Sequence, residues 1–217
     1  MNVAARTTVI RDSTAIAVST GIYGIAFGAA GVAAGLGVGR TSVLSLLMFS
    51  GASQFALVGV LGAGGSVLAG VAGALLLGAR NGLYGLRLSA LLEFRGARRI
   101  AAAHGVIDET TAMSIAQPDR QLARLAFWVT FGLLYVCWNL GTLIGAFGAK
   151  AVGDPTRFGL DVAAPAAFLA LLAPRLRSGG APVALAGGAI ALAATPFLPA
   201  GAPILCAALA VVIGWRR

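Results

Sequence analysis

Charge is scarce in this chain: seven acids, one lysine and one histidine stand in 217 residues, against 15 arginines. From Thr41 to Ala79 there is no ionisable side chain at all. A soluble domain devotes about a quarter of its residues to charge, and this chain devotes 11%. A water-soluble globule is therefore excluded, because too little polar surface exists to cover one. The two cysteines, Cys137 and Cys206, lie in apolar segments without metal-ligand or paired-loop spacing. They read as small buried hydrophobes. A single histidine, His104, in a polar loop, and a single lysine, Lys150, at a helix end, leave no base beside a nucleophile inside the fold. Serine–histidine and serine–lysine hydrolysis are disfavoured on that ground, and no catalytic residue, metal site or cofactor is expected.

What the chain has in abundance is apolar sequence, 59% of residues, with a mean hydropathy of +0.91. Its formal charge of +9 comes from arginines placed mostly between apolar segments. That is the signature of membrane topology, not of a nucleic-acid-binding face, which would cluster Lys and Arg with aromatics. The expected fold is an all-α polytopic membrane bundle, a single transmembrane domain over 1–217. A bilayer core about 30 Å thick asks roughly 20 apolar residues of each spanning helix. Seven segments approach this: Thr14–Leu36, Ser42–Leu61, Val67–Leu92, Leu125–Ala149, Phe158–Ala173, Pro182–Phe197 and Gly201–Trp215. The last two are short and separated by Pro196, Pro199 and Pro203, which suggests half-spanning helices. Thr14–Leu36 is long for a signal peptide and carries glycines at packing spacing, so it reads as a retained helix.

With seven spans, the loop 93–124 and its five arginines fall on the side opposite the N-terminus. The positive-inside rule then predicts an outer N-terminus and a cytoplasmic loop. The spacing Gly24, Gly28, Gly31 returns 117 positions later as Gly141, Gly145, Gly148. Two repeat halves, 14–92 and 125–197, are suggested, inserted in opposite directions as in many secondary transporters.

Arg80 falls near the middle of Val67–Leu92, where a guanidinium costs several kcal/mol unless paired or hydrated. Tyr84 and Arg87 share its face, Arg87 closer to an interfacial anchoring position. The partner of Arg80 is either a protein carboxylate, with Asp161 the candidate, or the carboxylate of a bound solute. The segment Ser50, Gly51, Ala52, Ser53, Gln54 sets a glycine among three polar side chains. It reads either as a break freeing backbone groups for a solute or as an unbroken helix whose polar residues bond a neighbour. Gln54 both donates and accepts, which suits a zwitterion. Asp108 and Glu109 are solvated or helix-capping acids, or else form a gating salt bridge. Asp161, placed in a low-dielectric site, is a candidate coupling carboxylate.

Together several blocks resemble the AzlC family, the large subunit of bacterial branched-chain amino acid exporters. They are Gly24-Ile25-Ala26-Phe27-Gly28, Phe49–Phe55, Ala79-Arg80-Asn81-Gly82-Leu83-Tyr84, Asp108-Glu109-Thr110 and Gly159-Leu160-Asp161-Val162-Ala163. The resemblance implies export of valine, leucine, isoleucine and also methionine from the cell, through the bacterial inner (plasma) membrane. It also implies a partner, a small AzlD-type membrane subunit. No Walker-type phosphate loop is present, so transport would be secondary. A non-transporting membrane scaffold or sensor is the competing reading, since packing glycines would serve that purpose too.

Overall fold

A computed structural model describes residues 3–152, 166, 169, 172–173 and 176–212. Every element among them is helical. In chain order these are α1 (Val3–Ala33), α2 (Gly37–Leu47), α3 (Ala52–Gly62), α4 (Val67–Leu92), α5 (Ala97–His104), α6 (Asp108–Ile115), α7 (Arg120–Val152), α8 (Ala181–Ala194) and α9 (Ala202–Ala207). A π-helical turn, Leu176–Gly180, precedes α8, and a 3₁₀ turn, Ala208–Ala210, follows α9. Three helices among the described residues, α1, α4 and α7, are long and apolar enough to cross a membrane.

The expected span Ser42–Leu61 is instead two helices of 11 residues each. Each is only about 16 Å long, half the hydrocarbon thickness. Contact registers give their directions. Passing along α2, Ser45 meets Thr142, the Leu46 carbonyl meets Tyr135, and Phe49 just beyond meets Phe131, so α2 runs against α7. Along α4, Gly70 abuts Leu57, Gly78 abuts Ser53 and Asn81 reaches Ser50, so α3 runs against α4. The end of α4 is tied to the start of α7: Arg124 Nε donates to the Leu92 carbonyl (2.7 Å) and Arg120 to that of Leu91 and to Glu93. Hence α4 and α7 are antiparallel, and α2 and α3 form a re-entrant hairpin that enters and leaves on one face. Gly51, at φ +48°, makes the reversal.

The expected polar loop 93–124 folds into a second hairpin. Helix α5 ascends alongside α7, with Ala102 against Phe127 and Gly105 against Phe131. Helix α6 returns, from Ile107 near Leu134 to Met113 near Ala126. The two hairpins enter from opposite faces and their tips meet: His104 Nε2 donates to the Leu46 carbonyl at 3.0 Å, and its ring lies 6.0 Å from that of Phe49.

Helices α1 and α7 form the central seam, and here the repeated glycines touch. A Cβ on Gly24 would lie 2.5 Å from the Trp138 carbonyl oxygen, and one on Gly141 2.5 Å from that of Gly21. Gly28 is closed by Thr142 and Gly145 by Ile25. Each contact recurs with its partners exchanged by 117 positions, which is the reciprocity of a two-fold interface. Ser13 and Thr130, also 117 apart, share a buried hydrogen bond of 2.9 Å. Because the numbering rises together on both helices, α1 and α7 are parallel. This corrects the expected opposite insertion of the halves: a hairpin replaces one span between the repeats, so an even number of crossings separates them. Gly31 closes on Thr41, whereas Gly148 meets nothing, so the third repeated glycine has no equivalent role.

The same change moves the N-terminus. Val9 packs with Met113, Leu122 and Ala126, which puts Arg6 and Arg11 on the same face as the arginines of 93–124, not across the membrane from them. The expected helix Phe158–Ala173 lies largely outside the described residues. Pro182–Phe197 is realised as α8, of 14 residues. Gly201–Trp215 starts as α9 and the 3₁₀ turn.

In a chain with Cys137 and Cys206 replaced by alanine, Gly39→Cys and Gly64→Cys should be labelled by an impermeant maleimide from one face of the membrane and Gly96→Cys from the other. Labelling of the first two from opposite faces would mean that α2–α3 spans. Gly28→Leu should lower the unfolding midpoint in mixed detergent micelles by the equivalent of about 1–3 kcal/mol or more. Gly132→Leu, where a Cβ meets nothing within 4 Å, should leave it unchanged.

Candidate functional site

A cavity of about 250 Å³ lies between the hairpin tips, α4 and the seam. Arg80 is 13 residues into α4, which places the cavity about 18–20 Å from either end of that helix, at mid-depth. The wall is largely apolar, with Tyr23, Phe49, Phe55, Leu77, Ile107 and Leu134 among its residues. Its polar side is built by Ser50 and Gly51 from the first hairpin tip, Arg80 and Asn81 from α4, and Asp108 and Glu109 from the second tip.

Each tip is held by the same device. An amide at the start of a helix lacks an intrahelical acceptor and cannot be left bare in lipid. At the first tip the Gly51 N–H donates to Gln54 Oε1 (3.2 Å), three residues into α3. At the second the Ile107 N–H donates to Thr110 Oγ1 (3.2 Å). Gln54 also donates to the Leu44 and Ser45 carbonyls, at 3.4 and 3.5 Å, across its own hairpin. On the other flank the Leu46 carbonyl, at the end of α2, accepts from both His104 and Tyr135.

The expected site residues therefore divide. Arg80, Ser50 and Gly51 line the cavity, as do Asp108 and Glu109. Gln54 and Ser53 are buried inside the hairpin and do not line it: Gln54 holds backbone, and Ser53 accepts from Ser50 Oγ at 3.0 Å. Tyr84 sits one turn beyond Arg80, half-buried and away from the cavity. Asp161 lies outside the described residues. Arg80 has a partner that the sequence reading did not give it: Nη2 binds Asp108 Oδ2 at 2.8 Å. Burial pushes the Glu109 carboxyl up from its ordinary value, and Asp108 adds to the rise. A backbone hydrogen bond and Arg80 pull it back.

Two residues not among the expected site residues complete the site. Asn81 Nδ2 donates to Ser50 Oγ (3.3 Å), while its Oδ1 is buried without a partner. Trp138, 4% exposed and packed against Phe27 and Phe55, has an unpartnered Nε1. A polar residue beside a mid-span arginine was a usable signal for Asn81. Nothing separates Trp138 from ordinary core aromatics in sequence.

With the third such atom, Arg80 Nε, these make three of the four buried, unpartnered side-chain polar atoms among the described residues. All three belong to residues lining this one cavity. Buried polar groups are nearly always hydrogen-bonded, so such a cluster marks a place where a partner belongs. Two donors and one acceptor against an apolar wall can pair with the polar end of a small amphiphile.

Residues 15–152, which include both hairpins and all the polar cavity residues, match the family described as AzlC protein. The chain belongs to the AzlC family. It is 31% identical over 175 residues to a protein of Archaeoglobus fulgidus (strain ATCC 49558 / DSM 4304 / JCM 9628 / NBRC 100126 / VC-16) called an uncharacterized membrane protein, covering 79% of this chain and 77% of that one. It is 28% identical over 170 residues to the inner membrane protein YgaZ of Escherichia coli (strain K12), covering 75% of this chain and 69% of YgaZ. No solved structure matches it. As an AzlC-family chain with three long apolar helices, it is a membrane protein.

Gln54→Leu should leave the half-buried Gly51 N–H without its acceptor and destabilise the folded protein by about 1–3 kcal/mol. The unfolding midpoint in detergent reads this, and an unchanged midpoint would remove Gln54 from its role at the tip.

Proposed function

We propose that this AzlC-family chain is the conducting subunit of a secondary exporter of small hydrophobic amino acids, valine, leucine, isoleucine and methionine. The observation that carries the reading is the mid-depth cavity with its three unpartnered polar atoms. A carboxylate accepts from Arg80 Nε and Trp138 Nε1, an ammonium donates to Asn81 Oδ1, and an aliphatic side chain faces Phe49, Phe55 and Leu134. The volume is small beside the roughly 300–1,000 Å³ of pockets for drug-sized ligands, as suits a single amino acid.

The re-entrant pair supports the same reading. Non-helical backbone at membrane depth is tolerated where it lines a cavity, and transporters use it to face a solute from both sides. The protein works in the bacterial plasma membrane together with a small AzlD-type membrane subunit. Its N-terminus and the 93–119 hairpin face the cytoplasm, because Arg6, Arg11, Arg95, Arg98, Arg99, Arg120 and Arg124 gather at that end. A scaffold would have no use for unpaired polar atoms around a cavity. His104, which a hydrolase would need beside a nucleophile, is engaged at the hairpin junction.

Counterflow of labelled leucine in proteoliposomes containing the chain and its small subunit tests the proposal. Exchange is expected, and Arg80→Ala should reduce it at least tenfold while the protein still reaches the membrane. Absence of counterflow for all four amino acids would overturn the reading.

A further inference from the structure

The Arg80–Asp108 pair joins a spanning helix to a hairpin tip across the cavity, and it uses the guanidinium incompletely. Nε and Nη2 lie on one edge of the guanidinium and together match the two oxygens of a carboxylate. Asp108 occupies Nη2 alone, at 2.8 Å, and Nε beside it is buried with no partner. Asp108 is thus a one-point occupant of a two-point edge.

Among the described residues, the charges facing this point are Arg80 from α4 and Asp108 and Glu109 from α6. Within this group Arg80 and Asp108 pair one cation with one anion. A solute carrying only a carboxylate would take Arg80 and strand Asp108. One carrying only an amine would take Asp108 and strand Arg80. An uncompensated charge at this depth costs several kcal/mol, so either solute is penalised. A zwitterion penalises neither.

Resting on the transport reading above, we propose that the Arg80–Asp108 ion pair is the specificity element of the site: it opens to admit an α-amino acid, whose carboxylate takes the Nε–Nη2 edge and whose ammonium takes the released Asp108. The solute becomes the middle member of a four-charge chain, and the net charge of the cavity does not change. Asp108 is the first residue of α6, where the helix N-terminus supports its charge during the exchange. Inserting the solute moves the α5–α6 tip away from α4, so recognition and hairpin displacement are one event.

The test compares leucine with its two single-ended analogues, 3-methylbutylamine and 4-methyl-2-oxopentanoate. Each is added as a competitor of leucine counterflow, and as a ligand in thermal-shift measurements on the detergent-purified protein with its small subunit. With the unmodified protein, leucine should compete at least tenfold better than either analogue. In Asp108→Asn the keto acid should gain, because Arg80 is free of its internal competitor, and leucine's advantage over it should fall by about tenfold or more. Asp108→Glu, which keeps the charge, should retain discrimination. Equal competition by all three compounds in the unmodified protein would overturn the proposal without the need for a variant. So would an equal change for leucine and the keto acid in Asp108→Asn. Loss of counterflow for every amino acid would instead strike the transport reading, and the thermal-shift comparison separates the two failures.

Discussion

Backbone that leaves a helix at membrane depth must find hydrogen-bond partners within the protein, because lipid supplies none. This constraint governs the architecture. The chain leaves helix at mid-depth twice, at Met48–Gly51 and at Gly105–Ile107. The opening amides are taken by Gln54 and Thr110, and the closing carbonyl of Leu46 by His104 and Tyr135. Once those side chains are committed, the polar groups left over are the ones that surround the cavity. The cavity is thus what remains when two reversals are satisfied and a third set of groups is not.

Its polarity is also spatially ordered. Ser50 is tethered to Asn81 on α4, and Asp108 to Arg80 one residue away on the same helix. Adjacent residues of a single span therefore hold the tips of hairpins that enter from opposite faces. Helix α4 is well suited to this, since Gly70 and Gly78 let α3 approach closely on one side. Below Arg80 a Cβ on Gly82 would meet nothing within 4 Å.

Much of this was legible in the sequence where composition and depth coincide. The bounds of α4, Val67–Leu92, follow from its hydrophobic run, and the structure reproduces them, with the Ser66 side chain capping the first turn. The glycine among Ser50, Ser53 and Gln54 left a break and an unbroken helix equally open, and the structure has the break. What hydropathy does not encode is direction: Ser42–Leu61 has enough apolar length to span, and a fold back at Gly51 leaves its hydropathy unchanged. The same blindness hid the partner of Arg80. Asp108 lies in a polar stretch that a hydropathy reading assigns to water, yet α5 carries it inward to mid-depth. Gln54 shows the converse, a polar residue at the right depth whose hydrogen bonds are spent on its own turn. The N-terminus shares a face with 93–124 for the same reason, since one span fewer exchanges the faces of everything before it.

The reciprocal glycine seam has a mechanical consequence. Where Gly24 and Gly28 rest directly on carbonyl oxygens of α7, and Gly141 and Gly145 on those of α1, neither helix can slide without driving backbone into backbone. The pair behaves as a stator. Any rearrangement that alternates access to the cavity must then fall to the short elements hung upon it, and these carry Ser50 at one tip and Asp108 at the other.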